Sequence, residues 1–202
     1  MRRSTPRLAT GVVLALLAAS CASTPASSHS ASTPGPVAAP SPPCRAGELA
    51  LGDSPQISPA TEEHGDVYTL ANRGSSACTL AGYPSVTLYD SGAAVLPFRY
   101  TDGDSQYITV APPATVRLRP GASAWVLVAQ TACVLGNEQA AVTIRISMPR
   151  PSAATVTGPA WSDSAGVSQL WYCRGGPDGA RPPVFVSPIE PTRVATVPPG
   201  PA

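Results

Sequence analysis

A period of two runs through the middle of this chain, and it limits the fold more than any other feature. In "AVTIRISM", Val142, Ile144, Ile146 and Met148 fall on one face of an extended segment, while Thr143, Arg145 and Ser147 fall on the other. "SVTLYD" repeats the pattern with Val86 and Leu88 inward, and "TVRLRPG" does so with Val116 and Leu118 inward and Arg117 and Arg119 outward. "SAWVLVAQT" is apolar on both faces, as a central strand covered from two sides must be. Residues 48–51, 67–72, 107–111 and 184–187 read as further short strands. Prolines and glycines interrupt the chain at short intervals, and no segment sustains a helical face. These signals predict an all-β fold, an antiparallel β-sandwich of immunoglobulin type.

The stretch "LANRGSSACTLAGYPSVTLYD" sharpens this expectation, because its Gly-Ser-Ser invites a second reading as a nucleophile loop. A nucleophile elbow needs G-x-S-x-G at a strand-to-helix turn. "GSSAC" lacks the second glycine, and no helix follows. Residues 73–77 therefore read as a turn between a strand ending at Asn72 and one beginning after Cys78, with Gly74 expected to take a positive φ angle.

The two ends of the chain are of a different kind. "MRRSTPRLATGVVLALLAASCAS" has a basic start, a short apolar run from Leu8 to Ala19 and small residues before Cys21, which is how an export signal over residues 1–20 reads. The apolar run is too short for an ordinary membrane span of ~20 residues. "LLAASC" resembles a bacterial lipobox, in which the cysteine is lipidated and becomes the mature N-terminus; it departs at Ala18, where leucine is commonest. Cys21 is thus the expected lipidation site, with secretion as the alternative. Residues 21–43 are rich in Ala, Ser, Thr and Pro, carry no charge and cannot bury a core, so they read as a semi-stiff tether. Residues 44–190 are the expected folded domain, and 191–202 a proline-rich tail.

Cysteine use agrees with this address. With Cys21 assigned to lipid, Cys44, Cys78, Cys133 and Cys173 remain, an even number in an oxidising compartment. Four cysteines allow three pairings, and Cys44–Cys78 with Cys133–Cys173 is preferred because it closes the shorter, sequential loops. Loops of about 35 to 40 residues contribute roughly 3 to 4 kcal/mol each on the chain-entropy model. A zinc site is the rival, but no two of the cysteines lie close in sequence.

Charge excludes one class of partner. All 13 basic residues are arginine, and three of them precede residue 8, leaving ten against 12 acids and a net charge of minus two. No basic footprint for nucleic acid remains.

The run from Leu70 to Pro97 then carries a family resemblance. Leu70, Asn72, Gly74, Cys78, Leu80, Gly82, Tyr83 and Pro84 are similar to an "L-T-N-x-G-x-x-x-C-x-L-x-G-Y-P" signature of an actinobacterial family, domain of unknown function 4232, with Ala71 where threonine is usual. Pro120 and Gly121 in "RLRPGASAWVLV" resemble that family's later "L-x-P-G", and Cys173 with residues 186–188 resembles its final cysteine and "V-x-P". The resemblance covers about residues 44–190 and implies an exported or lipid-anchored protein. It brings no catalytic residues to carry over.

Other constellations are thin. His64 stands near Glu62, Glu63 and Asp66, a base or metal ligand on paper, but a single imidazole among acids before a strand reads as a loop. Any Ser-His-Asp chemistry must use His64, and no serine motif points to it. Asp102 and Asp104 have a calcium-like spacing, yet an EF-hand starting there needs glycine at 107 and glutamate at 113, where Tyr107 and Pro113 stand. No catalytic residue, metal or cofactor is expected. Trp125 reads as core. Tyr83, Tyr89, Tyr100 and Tyr107 are further aromatic residues, but the candidate binding surface is Trp161, Trp171 and Tyr172 with Arg174, beside Arg181, where exposed aromatics could stack on a sugar or anchor a protein. Covering the end of a sandwich is the alternative. The expected protein is non-enzymatic, tethered by lipid to the outer face of the cell membrane, with a binding or structural role toward an envelope protein or a cell-wall glycan.

Overall fold

The structure, a computed structural model, describes residues 40–53, 63–103, 108, 112–131, 133, 138–160, 170–173 and 183–196. Within them the chain forms β1 (Leu49–Asp53), β2 (Glu63–Asn72), β3 (Cys78–Leu80), β4 (Ser85–Tyr89), β5 (Arg99–Asp102), β6 (Val116–Leu118) and β7 (Ser123–Thr131). There follow β8 (Glu138–Ala140), β9 (Thr143–Ser147), β10 (Thr155–Pro159), β11 (Trp171–Cys173), β12 (Pro183–Val186) and a single helical turn, α1 (Arg193–Thr196). The fold is all-β apart from that turn, which forms inside the segment expected to be a frayed tail. Among the described residues no helix is long and apolar enough to cross a membrane.

Five strands make the largest sheet, in the order β1-β2-β7-β12-β5. β7 occupies its middle, as the unbroken apolar run in "SAWVLVAQT" demands, and pairs antiparallel with β2 over nine residues, from Glu63 opposite Thr131 to Ala71 opposite Ser123. Its side chains divide by parity. Ala124, Val126 and Val128 point into the main core, whereas Leu127 and Ala129 join Val67 and Ile108 on the outer face. Trp125 belongs to this outer cluster and is only half-buried, so the tryptophan expected in the core lies at its margin.

The second large sheet is β10-β9-β4, antiparallel throughout. Val86 and Leu88, Ile144 and Ile146, and Val156 all turn inward, and these join Tyr68, Leu70, Val126, Val128, Val184 and Val186 of the five-stranded sheet in one apolar cluster. Gly158 shows how closely the two sheets approach: a Cβ there would stand 3.0 Å from Leu51 Cδ2. Two short pairs, β3 with β6 and β11 with β8, complete the described sheets.

Three local expectations change, and a fourth falls on residues outside those described. The pairing of β12 with β5 is parallel, Val184 opposite Tyr100, although the alternation in each strand is the same as for an antiparallel neighbour. The proposed strand at 107–111 lies outside the described residues except for Ile108, which is a buried bend. Gly74 is not among the glycines of positive φ; Gly121, at +79°, is, in a turn closed by the Ala122 N–H donating to the Arg119 carbonyl. The chain also attaches to the domain before residue 44. Pro43 bridges Thr79, the Thr79 N–H donates to the Pro42 carbonyl at 2.8 Å, and Arg117 Nε donates to Ser41 Oγ at 2.7 Å, all within the stretch read as tether.

Both disulfides pair as preferred from the sequence, Cys44–Cys78 and Cys133–Cys173.

Tyr100, on β5, gives the fold a pH dependence. Burial pushes its phenol up to about 12, outweighing the opposite pull of the Leu88 N–H, which the oxygen accepts at 3.0 Å, while Tyr89 adds to the rise. An unfolded tyrosine ionises near 10. Between those values the unfolded chain releases a proton that the folded chain keeps, so stability falls as pH rises through that window. Denaturant midpoints measured on either side of it should show a smaller alkaline loss in Tyr100→Phe than in the wild type.

Candidate functional site

The sequence places its binding candidates around β11, and the structure shows how that strand is held. Trp171 and Tyr172 pair with Ala140 and Gln139 of β8. Gln130, fully buried at the end of β7, grips the backbone of Trp171 from both sides: its Oε1 accepts the Trp171 N–H at 3.0 Å, and its Nε2 donates to the Trp171 carbonyl at 2.9 Å. The Cys133–Cys173 bridge fixes the last residue of the strand. Tyr172 packs edge-to-face on Phe98, ring centroids 5.4 Å apart, against the main core. Trp171 and Tyr172 are half-buried, whereas Phe98 is buried. Trp161, Arg174 and Arg181 lie outside the described residues, so Trp171 and Tyr172 are the two members of the candidate surface that the structure brings together. Cys21 lies outside them as well.

His64 does not sit in a loop. It is the second residue of β2, opposite Gln130, half-buried, with Asp66 fully buried two positions along the same strand. Asp102 closes β5, and Asp104 lies outside the described residues. Among the described residues no three His, Cys, Asp or Glu side chains are grouped so as to hold a metal ion.

The Gly-Ser-Ser stretch is a turn, and Asn72 organises it. Buried at the end of β2, Asn72 accepts the Gly74 N–H on Oδ1 at 2.8 Å and donates from Nδ2 to the carbonyls of Ser76 at 2.9 Å and Leu118 at 3.1 Å. Its side chain supplies what a bent backbone cannot make for itself, and delivers Cys78 to Cys44. Gly74 is useful here for its size: a Cβ would stand 3.1 Å from Asn72 Oδ1.

A second surface was not singled out from the sequence. The outward positions of β4, β9 and β10 line up by register into rows across the sheet: Ser85, Ser147 and Thr155; Thr87, Arg145 and Thr157; Tyr89, Thr143 and Pro159. Arg145 is exposed at the centre, its guanidinium carbon 5.1 Å from the centroid of the Tyr89 ring. Tyr89, Ala93, Thr143, Arg145 and Thr157 line a shallow cleft of about 210 Å³. The signal was present as the polar half of each alternation, but only strand pairing shows that three such halves share one face.

Comparison with known families matches residues 44–198 to the one described as Domain of unknown function (DUF4232). The chain belongs to this family. The DUF4232 match begins at Cys44, the first bridged cysteine, runs through Cys173, and passes the end of β12 to include α1. No curated protein matches the chain.

Proposed function

We propose that this DUF4232 protein is a non-catalytic binding or structural module held outside the cell, anchored by lipid on Cys21 and spaced from the membrane by the proline-rich segment before residue 41. The observation that carries the reading is the pairing of all four domain cysteines into two disulfides. Such bridges form and persist in oxidising compartments and are rare in the cytosol. The N-terminal sequence supplies a matching address, with a basic start, an apolar run and small residues before Cys21. A semi-stiff tether of about 20 residues reaches tens of ångströms, which suits contact with envelope material more than chemistry on a small diffusing substrate. Tyr172, committed to Phe98, is a poorer sugar-stacking platform than its sequence position promised.

Cell fractionation tests the anchor. Cys21→Ser should move the protein from the detergent-soluble membrane fraction into the medium or the soluble extracytoplasmic fraction. Continued membrane association of the variant would defeat the lipid-anchor reading.

A further inference from the structure

We infer that the outer face of the β4, β9 and β10 sheet binds a carboxylate-bearing glycan, with Arg145 receiving the carboxylate. The inference deepens the reading of this domain as an extracytoplasmic binding module, and it rests on that reading for its biological setting alone.

Three observations converge on this face. The first is an exposed cation. Arg145 is exposed, and no carboxylate among the described residues pairs with it. Asp90, the residue after Tyr89, is engaged elsewhere: Oδ1 accepts the N–H groups of Gly92 and Ala94, each at 2.9 Å, and Oδ2 accepts Gln139 Nε2 at 2.7 Å. The Tyr89 ring beside the guanidinium restrains it, which lowers the ordering cost of a forked, two-point hydrogen bond to a carboxylate.

The second is the ring of hydroxyls. Thr87 and Thr157 flank Arg145 directly across the strands, and Thr143 lies beside Tyr89. Each hydroxyl is both donor and acceptor, matching the mixed character of sugar hydroxyls. The third is an exposed apolar neighbour. Val95, 58% exposed, bridges Tyr89 from the adjoining strand segment and so stands on the same face, with Pro159 at the far end of that row. Ala93, on the cleft rim, is held at φ 59°, a conformation that L-residues other than Asn and Asp seldom adopt.

A ligand for this face therefore needs an anion, many hydroxyls and a small apolar surface close together. A sugar acid in a polymer has all three, its ring C–H groups supplying the last. A protein partner would want a larger aromatic or aliphatic anchor buried at the centre, where this face puts threonines and an arginine.

Affinity electrophoresis of the full, disulfide-closed chain in nonionic detergent tests this, with polygalacturonate or uncharged dextran cast into the gel. The expected result is retardation by polygalacturonate and not by dextran. Arg145→Gln should weaken the interaction about tenfold or more, the effect of losing a hydrogen bond to a charged group. Thr157→Asp, which sets a competing carboxylate beside Arg145, should do the same. Arg117→Gln, an equal change of charge on β6, should bind as wild type, and all variants should stay folded because each site is exposed and Arg117→Gln gives up only the exposed bond to Ser41. Absence of retardation, equal retardation by dextran, or equal losses for Arg145→Gln and Arg117→Gln would overturn the inference. Binding is read on purified protein and anchoring on cells, so failure of one leaves the other standing.

Discussion

Replacing Cys44 and Cys78 together by alanine is expected to lower the unfolding free energy by about 4 kcal/mol, measured by chemical denaturation of the oxidised protein. Their sequence separation is 34, and on the chain-entropy model a loop of that size contributes roughly 3 to 4 kcal/mol by restricting the unfolded chain. Packing adds to this, because Cys44 is 0% and Cys78 2% exposed within the main core, so removing the sulfurs leaves unfilled space as well. The bridge also holds the point where the chain enters the domain: the Cys44 N–H donates to the Thr79 carbonyl at 3.0 Å, alongside the Pro42 contact to the same residue. Removal of Cys133 and Cys173 should cost less, although their separation is 40, because both are only half-buried. Equal losses from the two pairs would mean that loop entropy alone decides the effect and that the buried position of Cys44 and Cys78 adds nothing.

Asn72→Ala is expected to cost about 3 kcal/mol, the second large effect. Three hydrogen bonds disappear at once, each with a net worth of about 1 kcal/mol, and the Leu118 carbonyl loses a partner where the bond is buried. The turn at residues 73–77 then has no internal brace, so faster amide exchange at Gly74 should accompany the loss. Asn72→Asp separates the contributions: it keeps the acceptor for the Gly74 N–H but sets oxygen against the carbonyls of Ser76 and Leu118 in a buried site, and should be at least as damaging. A near-neutral Asn72→Asp would mean that the two donated bonds contribute little.

The strands were legible because each buries one face, and a period of two leaves few alternatives. β4, β6 and β9 carry their inward residues where the alternation put them, and β7 lies at the centre of its sheet because an apolar run on both faces has no other place. The disulfide pairing followed from sequence proximity in an export context. What escaped depends on neighbours. Parallel pairing of β12 with β5 leaves no trace in either strand, since alternation records burial and not direction. Trp125 looked like core because its strand is apolar throughout, but odd positions of β7 face the smaller outer cluster, whose cover does not fully enclose a large ring. Gly74 stands in a turn-forming run, but it is the Asn72 side chain that closes the turn, so no positive φ is needed at Gly74. Alternation marks Arg145 only as outward-facing, and its setting of Tyr89, Thr87 and Thr157 exists only once β4, β9 and β10 are side by side.

The most direct test of the central claim, an exported and disulfide-closed domain on a lipidated cysteine, is a non-reducing peptide map by mass spectrometry of the protein taken from its own cells after alkylation of free thiols. The proposal predicts a chain beginning at Cys21 with added lipid mass, linked peptides for Cys44–Cys78 and Cys133–Cys173, and no alkylated cysteine. An unprocessed N-terminus would contradict the lipid anchor, and alkylated Cys44, Cys78, Cys133 and Cys173 would contradict export by placing the domain in a reducing compartment.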